Sequence, residues 1–184
     1  TVSMPPIKSD RVGFLIKLSR VLPWAVAISI TPRSTIVLAA CASNHYVDAA
    51  TKPDFSILIY PVISFDYNVY RSGTRPGLIG KDENWVGNED KLNELVELYS
   101  MEKQVTAETP ETFISHCTND KTLVDNSLIY YKSLITHKVP VEMHIWKSGG
   151  HGWGFSSENV AGKGKDKLAA HRQEFYNVLD KWLK

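Results

Sequence analysis

Four runs of apolar and β-branched residues recur along the chain, and each predicts a β-strand. They occupy residues 11–15, 55–62, 112–117 and 141–146. Runs of this length, bounded by polar or turn-forming residues, are typical of strands. Runs that are apolar on both faces suit a parallel sheet that helices cover.

Apolar residues at helical spacing predict three helices around these strands. The clearest one begins near Asp125 and Asn126, where a short polar side chain can cap free backbone N–H groups, and it ends before Pro140. Another covers about residues 90–99. The last runs from about residue 166 to the end. Its apolar stripe should pack against the sheet and comprises Leu168, Phe175, Val178, Leu179 and Trp182.

The order of these elements and the composition set the domain organisation. Strand and helix alternate after residue 110, which predicts an α/β fold, here a partial α/β sheet that is mostly parallel. With 184 residues, 43% of them hydrophobic, the chain can bury one ordinary core, so we predict a single domain over residues 1–184. Residues 64–110 are polar and rich in turn signals, which is typical of an insertion or lid over a site.

The charge balance and the apolar pattern argue against several classes of partner. With 21 basic and 20 acidic residues the net charge is +1, which gives no support for binding nucleic acid or an anionic membrane. The most apolar stretch, residues 21–42, is interrupted by prolines and lacks the roughly 20 apolar residues of a membrane span. Asp10 and Arg11 interrupt the place where a signal peptide would have its apolar region. The compartment stays undetermined.

Neither the cysteines nor the histidines predict a disulfide framework or a metal site. Of the two cysteines, Cys41 and Cys117, the second lies inside a predicted strand, where a free cysteine usually acts as a small buried hydrophobe. The histidines lack the paired spacing of zinc ligands. The glycines of residues 149–154 follow the last strand, whereas those of a dinucleotide site open a strand–helix unit. We therefore predict no cofactor and no metal.

Two groups suited to acid–base chemistry follow successive predicted strands. Asp120 comes three residues after the third strand, and His151 comes five residues after the fourth. With one helix between the strands, the two loops should lie side by side at the carboxyl edge of the sheet. Glycines at positions 149, 150 and 152 permit a tight loop with positive φ angles. A carboxylate and the imidazole that it orients are two of the three members of a triad that activates a serine hydroxyl.

Three segments carry a resemblance to a known family. They are residues 53–64, residues 116–120 together with Asn126 and Ser127, and residues 149–154. Over residues 53–184 the chain resembles the carboxyl-terminal half of the α/β-hydrolases, in particular the acetylxylan-esterase-like or BD-FAE-like bacterial carboxylesterases.

The resemblance implies a function and assigns roles to two residues. Asp120 would be the catalytic acid and His151 the catalytic base of an enzyme that removes short acyl groups, such as acetyl, from a carbohydrate or a small ester. Asp125 is an alternative acid, although capping the next helix is its simpler role.

The third member of the triad is not recognisable. The family places a Gly-x-Ser-x-Gly elbow after the strand that residues 10–15 resemble, and no such motif occurs in this sequence. Ser19, Ser43 and Ser115 are candidate substitutes, but none lies in an elbow. One hypothesis is that residues 16–43 are translated out of frame, which the nucleotide sequence of the gene would test. Two functions remain, namely an ester hydrolase and a catalytically silent fragment of the hydrolase fold without its nucleophile.

Three other side chains near these motifs allow a structural and a functional interpretation. His116 and His144 lie within predicted strands, where a histidine is more often packed or hydrogen-bonded than catalytic. Trp153 follows His151 by two residues. It could line an acyl or sugar pocket, but packing is the commoner role of such a ring.

Overall fold

The computed structural model describes residues 26–30, 36–38, 54–66, 69, 74–153 and 166–184, with the backbone alone at residues 26–30, 36–38 and 74. The predicted strand at residues 11–15 lies outside the described residues. The same holds for Ser19, Ser43 and Cys41. The organisation of residues 1–184 as one domain with an insertion at residues 64–110 stays a prediction.

A five-stranded sheet lies at the centre of the described structure. Its strands are β1 (Val26–Ile30), β2 (Ile36–Leu38), β3 (Phe55–Ile59), β4 (Glu111–Cys117) and β5 (Val141–Trp146). Their spatial order is β2-β1-β3-β4-β5. Strands β3, β4 and β5 run parallel, whereas β1 is antiparallel to both of its neighbours. The prediction of a mostly parallel sheet is therefore confirmed for the unit that carries Asp120 and His151.

The strands differ from the predicted ones in two respects. Strands β1 and β2 lie within residues 16–43 and are not among the predicted strands. Strand β3 ends at Ile59 instead of residue 62, because Tyr60 has a φ of 44° and leaves the extended region. Pro61 then has no N–H to donate to a ladder. Strands β4 and β5 agree with the predicted runs, apart from one added residue at the start of β4.

The described ranges contain four α-helices. They are α1 (Thr74–Ile79), α2 (Glu89–Tyr99), α3 (Asp125–Thr136) and α4 (Arg172–Trp182). Helices α2 and α3 fall where the sequence predicts them, whereas α1 is an addition. Helix α4 begins later than predicted because Asp166 closes a separate turn, in which its Oδ1 accepts the N–H of Leu168 at 3.0 Å. None of these helices combines the length and the apolar character that crossing a bilayer requires.

The predicted side-chain cap of α3 is wrong. Val124 occupies the N-cap position, and no side chain there bonds to the helix. Oδ1 of Asn126 instead accepts the backbone N–H groups of Ile63 and Ser64, each at 3.0 Å. The start of α3 is thereby tied to the segment that follows β3.

Helices cover both faces of β3 and β4, because alternate residues of a strand point to opposite sides. Helix α4 packs on one face, where the buried core comprises Ile57, Ile59, Tyr60, Phe113, Cys117, Trp153, Leu168, Phe175 and Leu179. Helix α3 packs on the other, with Leu58, Ile63, Met101, Val105, Ile114, Tyr130, Leu134 and Val139. The predicted stripe of α4 is confirmed. Strand β5 is only partly buried, since it forms one edge of the described sheet.

Candidate active site

Asp120 and His151 meet at the carboxyl edge of β4 and β5. These strands are parallel neighbours, so the loops that follow them leave the sheet on the same side. Nδ1 of His151 lies 2.9 Å from Oδ2 of Asp120. The side chain of Asp120 is fully buried, whereas 27% of the His151 side chain is exposed. The two predicted residues are therefore in hydrogen-bond contact, with the carboxylate inside and the ring reaching the surface.

Both oxygens of the Asp120 carboxylate have partners. The N–H of Thr122 donates to Oδ1 at 2.8 Å, and Oδ2 faces Nε2 of His116 at 3.3 Å in addition to His151. Burial by itself raises the pKa of Asp120, but the hydrogen bonds from His116, His151 and the Thr122 N–H outweigh it and lower that pKa to about 2. The buried carboxylate is consequently ionised at neutral pH.

The contact with Asp120 determines which nitrogen of His151 carries the proton. An ionised carboxylate only accepts hydrogen bonds, so Nδ1 must be the donor. In the neutral ring the lone pair then lies on Nε2. That nitrogen can accept a proton from another group, as a general base must.

The glycines around His151 adopt the conformations predicted for them. Gly149, Gly150 and Gly152 have φ angles of 145°, 62° and 78°, which L side chains rarely adopt. Gly149 is also closely packed, because a Cβ there would lie 2.6 Å from Sγ of Cys117 and 2.9 Å from Cδ1 of Leu168. The loop therefore needs glycine at all three positions for its backbone conformation, and at Gly149 also because a side chain would not fit.

Three side chains that the sequence analysis does not single out hold this loop. Oδ1 of Asn119 accepts the N–H of Gly150 at 2.8 Å, and Nζ of Lys167 donates to the carbonyl of His151 at 2.7 Å. The ring of Tyr60 lies 4.5 Å from the His151 ring, centroid to centroid. Only Asn119, the neighbour of the acid, has a position in the sequence that could have pointed to the site.

The alternative candidates lie in less suitable places. Asp125 is exposed in the first turn of α3. Ser115 is fully buried within β4, where its Oγ accepts the indole N–H of Trp146 at 2.7 Å. Burial raises the pKa of the Cys117 thiol to about 11, so this group is a poor nucleophile near neutral pH.

The remaining side chains singled out by the sequence have structural surroundings. Trp153 is buried, and its ring packs edge-to-face against Phe175 at a centroid distance of 5.1 Å, which favours the packing role. Nε2 of His144 contacts Oε1 of Glu142 at 2.7 Å. Over the ranges described above, no grouping of three or more His, Cys, Asp or Glu side chains could hold a metal ion.

The chain is similar to known hydrolases in sequence and in structure. An acetylxylan esterase of Xylanibacter ruminicola is 27% identical over 162 residues, which are 83% of this chain and 32% of the relative. The solved structure of a sugar hydrolase from Lactococcus lactis is 30% identical, with a TM-score of 0.57 over 79% of this chain and 52% of that one. An acetyl ester-xyloside bifunctional hydrolase from Caldicellulosiruptor lactoaceticus is 28% identical, with a TM-score of 0.50 over 76% and 49%. No protein-family model matches the chain.

These similarities extend over only part of each relative. The chain spans about a third of the acetylxylan esterase and about half of each of the two solved structures. Within that part, the parallel unit of β3, β4 and β5 with its flanking helices corresponds to the fold of these neighbours. The chain therefore resembles an acetylxylan esterase in sequence and has the fold of the α/β-hydrolases.

Proposed function

We propose that this chain provides the acid and the base of a carboxylic-ester hydrolase with a Ser-His-Asp mechanism. The observation that supports this most is the 2.9 Å contact between Nδ1 of His151 and Oδ2 of a buried, ionised Asp120. A carboxylate in this position orients an imidazole as a general base. The acid also precedes the base along the chain, as it does in α/β-hydrolases.

His151 acts at both stages of the proposed reaction. Its Nε2 takes the proton of a serine hydroxyl while the serine oxygen attacks the ester carbonyl, and Asp120 stabilises the resulting imidazolium without taking the proton. The same nitrogen then gives its proton to the departing alcohol, and the acyl group stays bonded to the serine oxygen as an acyl-enzyme. A water molecule hydrolyses this intermediate with His151 again as the base, and the free serine and a carboxylic acid are formed.

The proposed substrate is a short acyl ester, such as an acetyl group on a carbohydrate or a small ester. Two relatives support this choice by what they are named for, namely acetylxylan esterase and acetyl ester-xyloside hydrolysis.

A specific observation favours a second function, that of a catalytically silent hydrolase-fold fragment. The sequence contains no Gly-x-Ser-x-Gly motif, and Ser115 is buried away from any elbow. An α/β-hydrolase that loses its serine typically keeps only a small residual rate from binding and oxyanion donors. The fragment would then retain the Asp120–His151 pair without turnover.

Two assays on the purified chain separate these functions. Hydrolysis of p-nitrophenyl acetate measures turnover, and a fluorophosphonate probe followed by peptide mass spectrometry locates an activated serine. We expect turnover that falls by about 10³- to 10⁴-fold in His151→Gln and in Asp120→Asn, because each variant removes one part of the general base. His137→Gln is the matched control, since His137 is an exposed histidine at the end of α3.

The outcomes distinguish the two candidates directly. A labelled serine whose modification requires His151 supports the hydrolase and identifies its nucleophile. A folded chain with neither label nor turnover supports the silent fragment. Turnover that survives in both site variants would contradict the assignment of the acid and the base.

A further inference from the structure

We propose that His116 is a positioning residue for Asp120, which it holds from the side opposite His151. This inference rests on the proposed function for its catalytic meaning, but its geometry is independent of turnover. His116 lies within β4 and is fully buried. Its Nε2 is 3.3 Å from the same Oδ2 atom that contacts His151.

The partners of His116 determine its tautomer. Nε2 lies 2.9 Å from the carbonyl oxygen of Thr122, which can only accept a hydrogen bond. The proton must therefore be on Nε2, where it lies between two acceptors, the Thr122 carbonyl and the Asp120 carboxylate. The other nitrogen, Nδ1, lies 2.7 Å from Oγ of Ser127 and accepts the hydroxyl proton.

Ser127 connects this arrangement to the first turn of α3. Its side chain is fully buried, and its backbone N–H donates to the carbonyl of Val124 at 2.9 Å. The helix thus fixes the hydroxyl, the hydroxyl fixes the ring of His116, and the ring faces the acid. With a neutral His116 ring, both ring nitrogens and the Ser127 hydroxyl have hydrogen-bond partners, and a fully satisfied buried polar network rigidifies its surroundings.

The consequence for Asp120 is a carboxylate that cannot easily rotate. The N–H of Thr122 holds Oδ1, while the two histidines approach Oδ2. A catalytic acid must stay in place while His151 gains and loses a proton, and supporting donors are the means by which a site is kept at its productive geometry. His116 and the Thr122 N–H supply this support without contact to the substrate.

Two variants and a matched control test the proposal in the full chain. His116→Leu removes both ring nitrogens at similar volume, and His116→Gln retains a donor toward Asp120 and an acceptor toward Ser127. His144→Leu is the control, because His144 occupies the neighbouring strand β5 and contacts Glu142. The first readout is the pKa of Asp120, from the ¹³C shift of its carboxyl group against pH. The second is the rate of p-nitrophenyl acetate hydrolysis.

The expected results follow from the lost hydrogen bond. In His116→Leu the pKa of Asp120 rises from about 2 toward its ordinary value, and kcat falls about ten- to a hundredfold with KM unchanged. His116→Gln restores most of the low pKa of Asp120 and most of kcat. His144→Leu changes neither quantity. A merely structural role would lower stability without moving the pKa of Asp120, so an unchanged pKa in folded His116→Leu would overturn the proposal.

Two further outcomes keep this inference separate from the proposed function. A raised pKa of Asp120 in a chain without any turnover supports the positioning role while the hydrolase proposal fails. If His116→Leu does not fold, ¹H–¹⁵N correlations of the unmodified chain at about pH 7 decide the matter. A proton on Nε2 of His116 supports the proposal, and an unprotonated Nε2 would contradict it.

Discussion

Gly149 is the residue of the candidate site at which backbone conformation and packing are most tightly coupled. Its φ of 145° leaves the range that L residues favour. Its Cα also lies against Cys117 of β4 and Leu168 of the segment before α4, both buried. The loop that carries His151 therefore packs directly on the core at Gly149.

We predict that Gly149→Ala lowers the free energy of unfolding by about 3 kcal/mol, because backbone strain adds to overpacking against Cys117 and Leu168. Gly150→Ala is the matched comparison, since Gly150 has a φ of 62° but no atom within 4 Å of an added Cβ. Gly150→Ala should lower the free energy of unfolding by about 1 kcal/mol, because only the backbone conformation disfavours the added side chain. Urea unfolding of both variants measures the difference, and equal losses would contradict the close approach at Gly149.

The first turn of helix α3 holds together several parts of the candidate site. Its first turn directs Asn126 toward the segment after β3 and Ser127 toward His116 in β4. Tyr60 begins that segment with a positive φ, and its ring contacts the His151 ring at a tilt of 56°. The start of α3 therefore connects to the segment after β3 and to β4, the strand that precedes Asp120.

We predict that Asn126→Ala destabilises the chain by about 2–3 kcal/mol, because two buried N–H groups, those of Ile63 and Ser64, lose their acceptor. Asn93→Ala, an exposed asparagine in α2, should stay within about 0.5 kcal/mol of the parent. Thermal or urea unfolding gives both values. A cost for Asn126→Ala as small as that for Asn93→Ala would show that water replaces the side chain.

At the scale of the whole molecule, the described core carries two buried carboxylates whose pKa values are shifted in opposite directions. Hydrogen bonds lower the pKa of Asp120 against the effect of burial. Burial raises the pKa of Glu102, although a hydrogen bond from Ser64 at 2.7 Å to its Oε1 opposes this. Oε2 of Glu102 has no partner within the described part of the chain, which explains why burial prevails there.

We predict that Glu102→Gln reduces the loss of stability that the parent shows as the pH rises. The unfolded chain releases the Glu102 proton near the ordinary value of 4.5, whereas the folded chain holds it to higher pH. Raising the pH through that window therefore favours the unfolded state of the parent. Free energies of unfolding measured from about pH 4 to pH 8 should diverge between parent and variant, with the parent losing more stability than the variant as the pH rises.

An exposed carboxylate provides the control for this pH series. Glu83→Gln changes the same functional group on the surface of the molecule, so its stability should follow the pH dependence of the parent. Parallel curves for the parent and Glu102→Gln would contradict the predicted effect of burial on Glu102.

Local pattern was sufficient to predict the elements that position the candidate site. Strands β4 and β5, helix α3 and the apolar stripe of α4 are all encoded by periodicity within short segments. The positive φ angles around His151 follow from its neighbouring glycines. Strands β1 and β2 were missed because they lie within the apolar stretch of residues 21–42, where a continuous apolar run does not by itself distinguish a strand from a buried helix. The early end of β3 depends on an unusual conformation of Tyr60 that no residue preference indicates.

The sequence by itself determined that Asp120 and His151 follow successive strands with one helix between them, since the order of elements along the chain is a local property. The pairing of these strands as neighbours in the sheet is a tertiary property. Only the tertiary structure decided what surrounds the two residues. Tyr60 meets His151 because strands distant in sequence converge at one sheet edge. His116 and Ser127 are close to Asp120 in sequence, but the turn after β4 and the start of α3 decide that His116 faces Asp120 and Ser127. Hydrogen-bond partners of a buried carboxylate depend on atoms placed within about 3 Å, and no pattern along the chain specifies that distance.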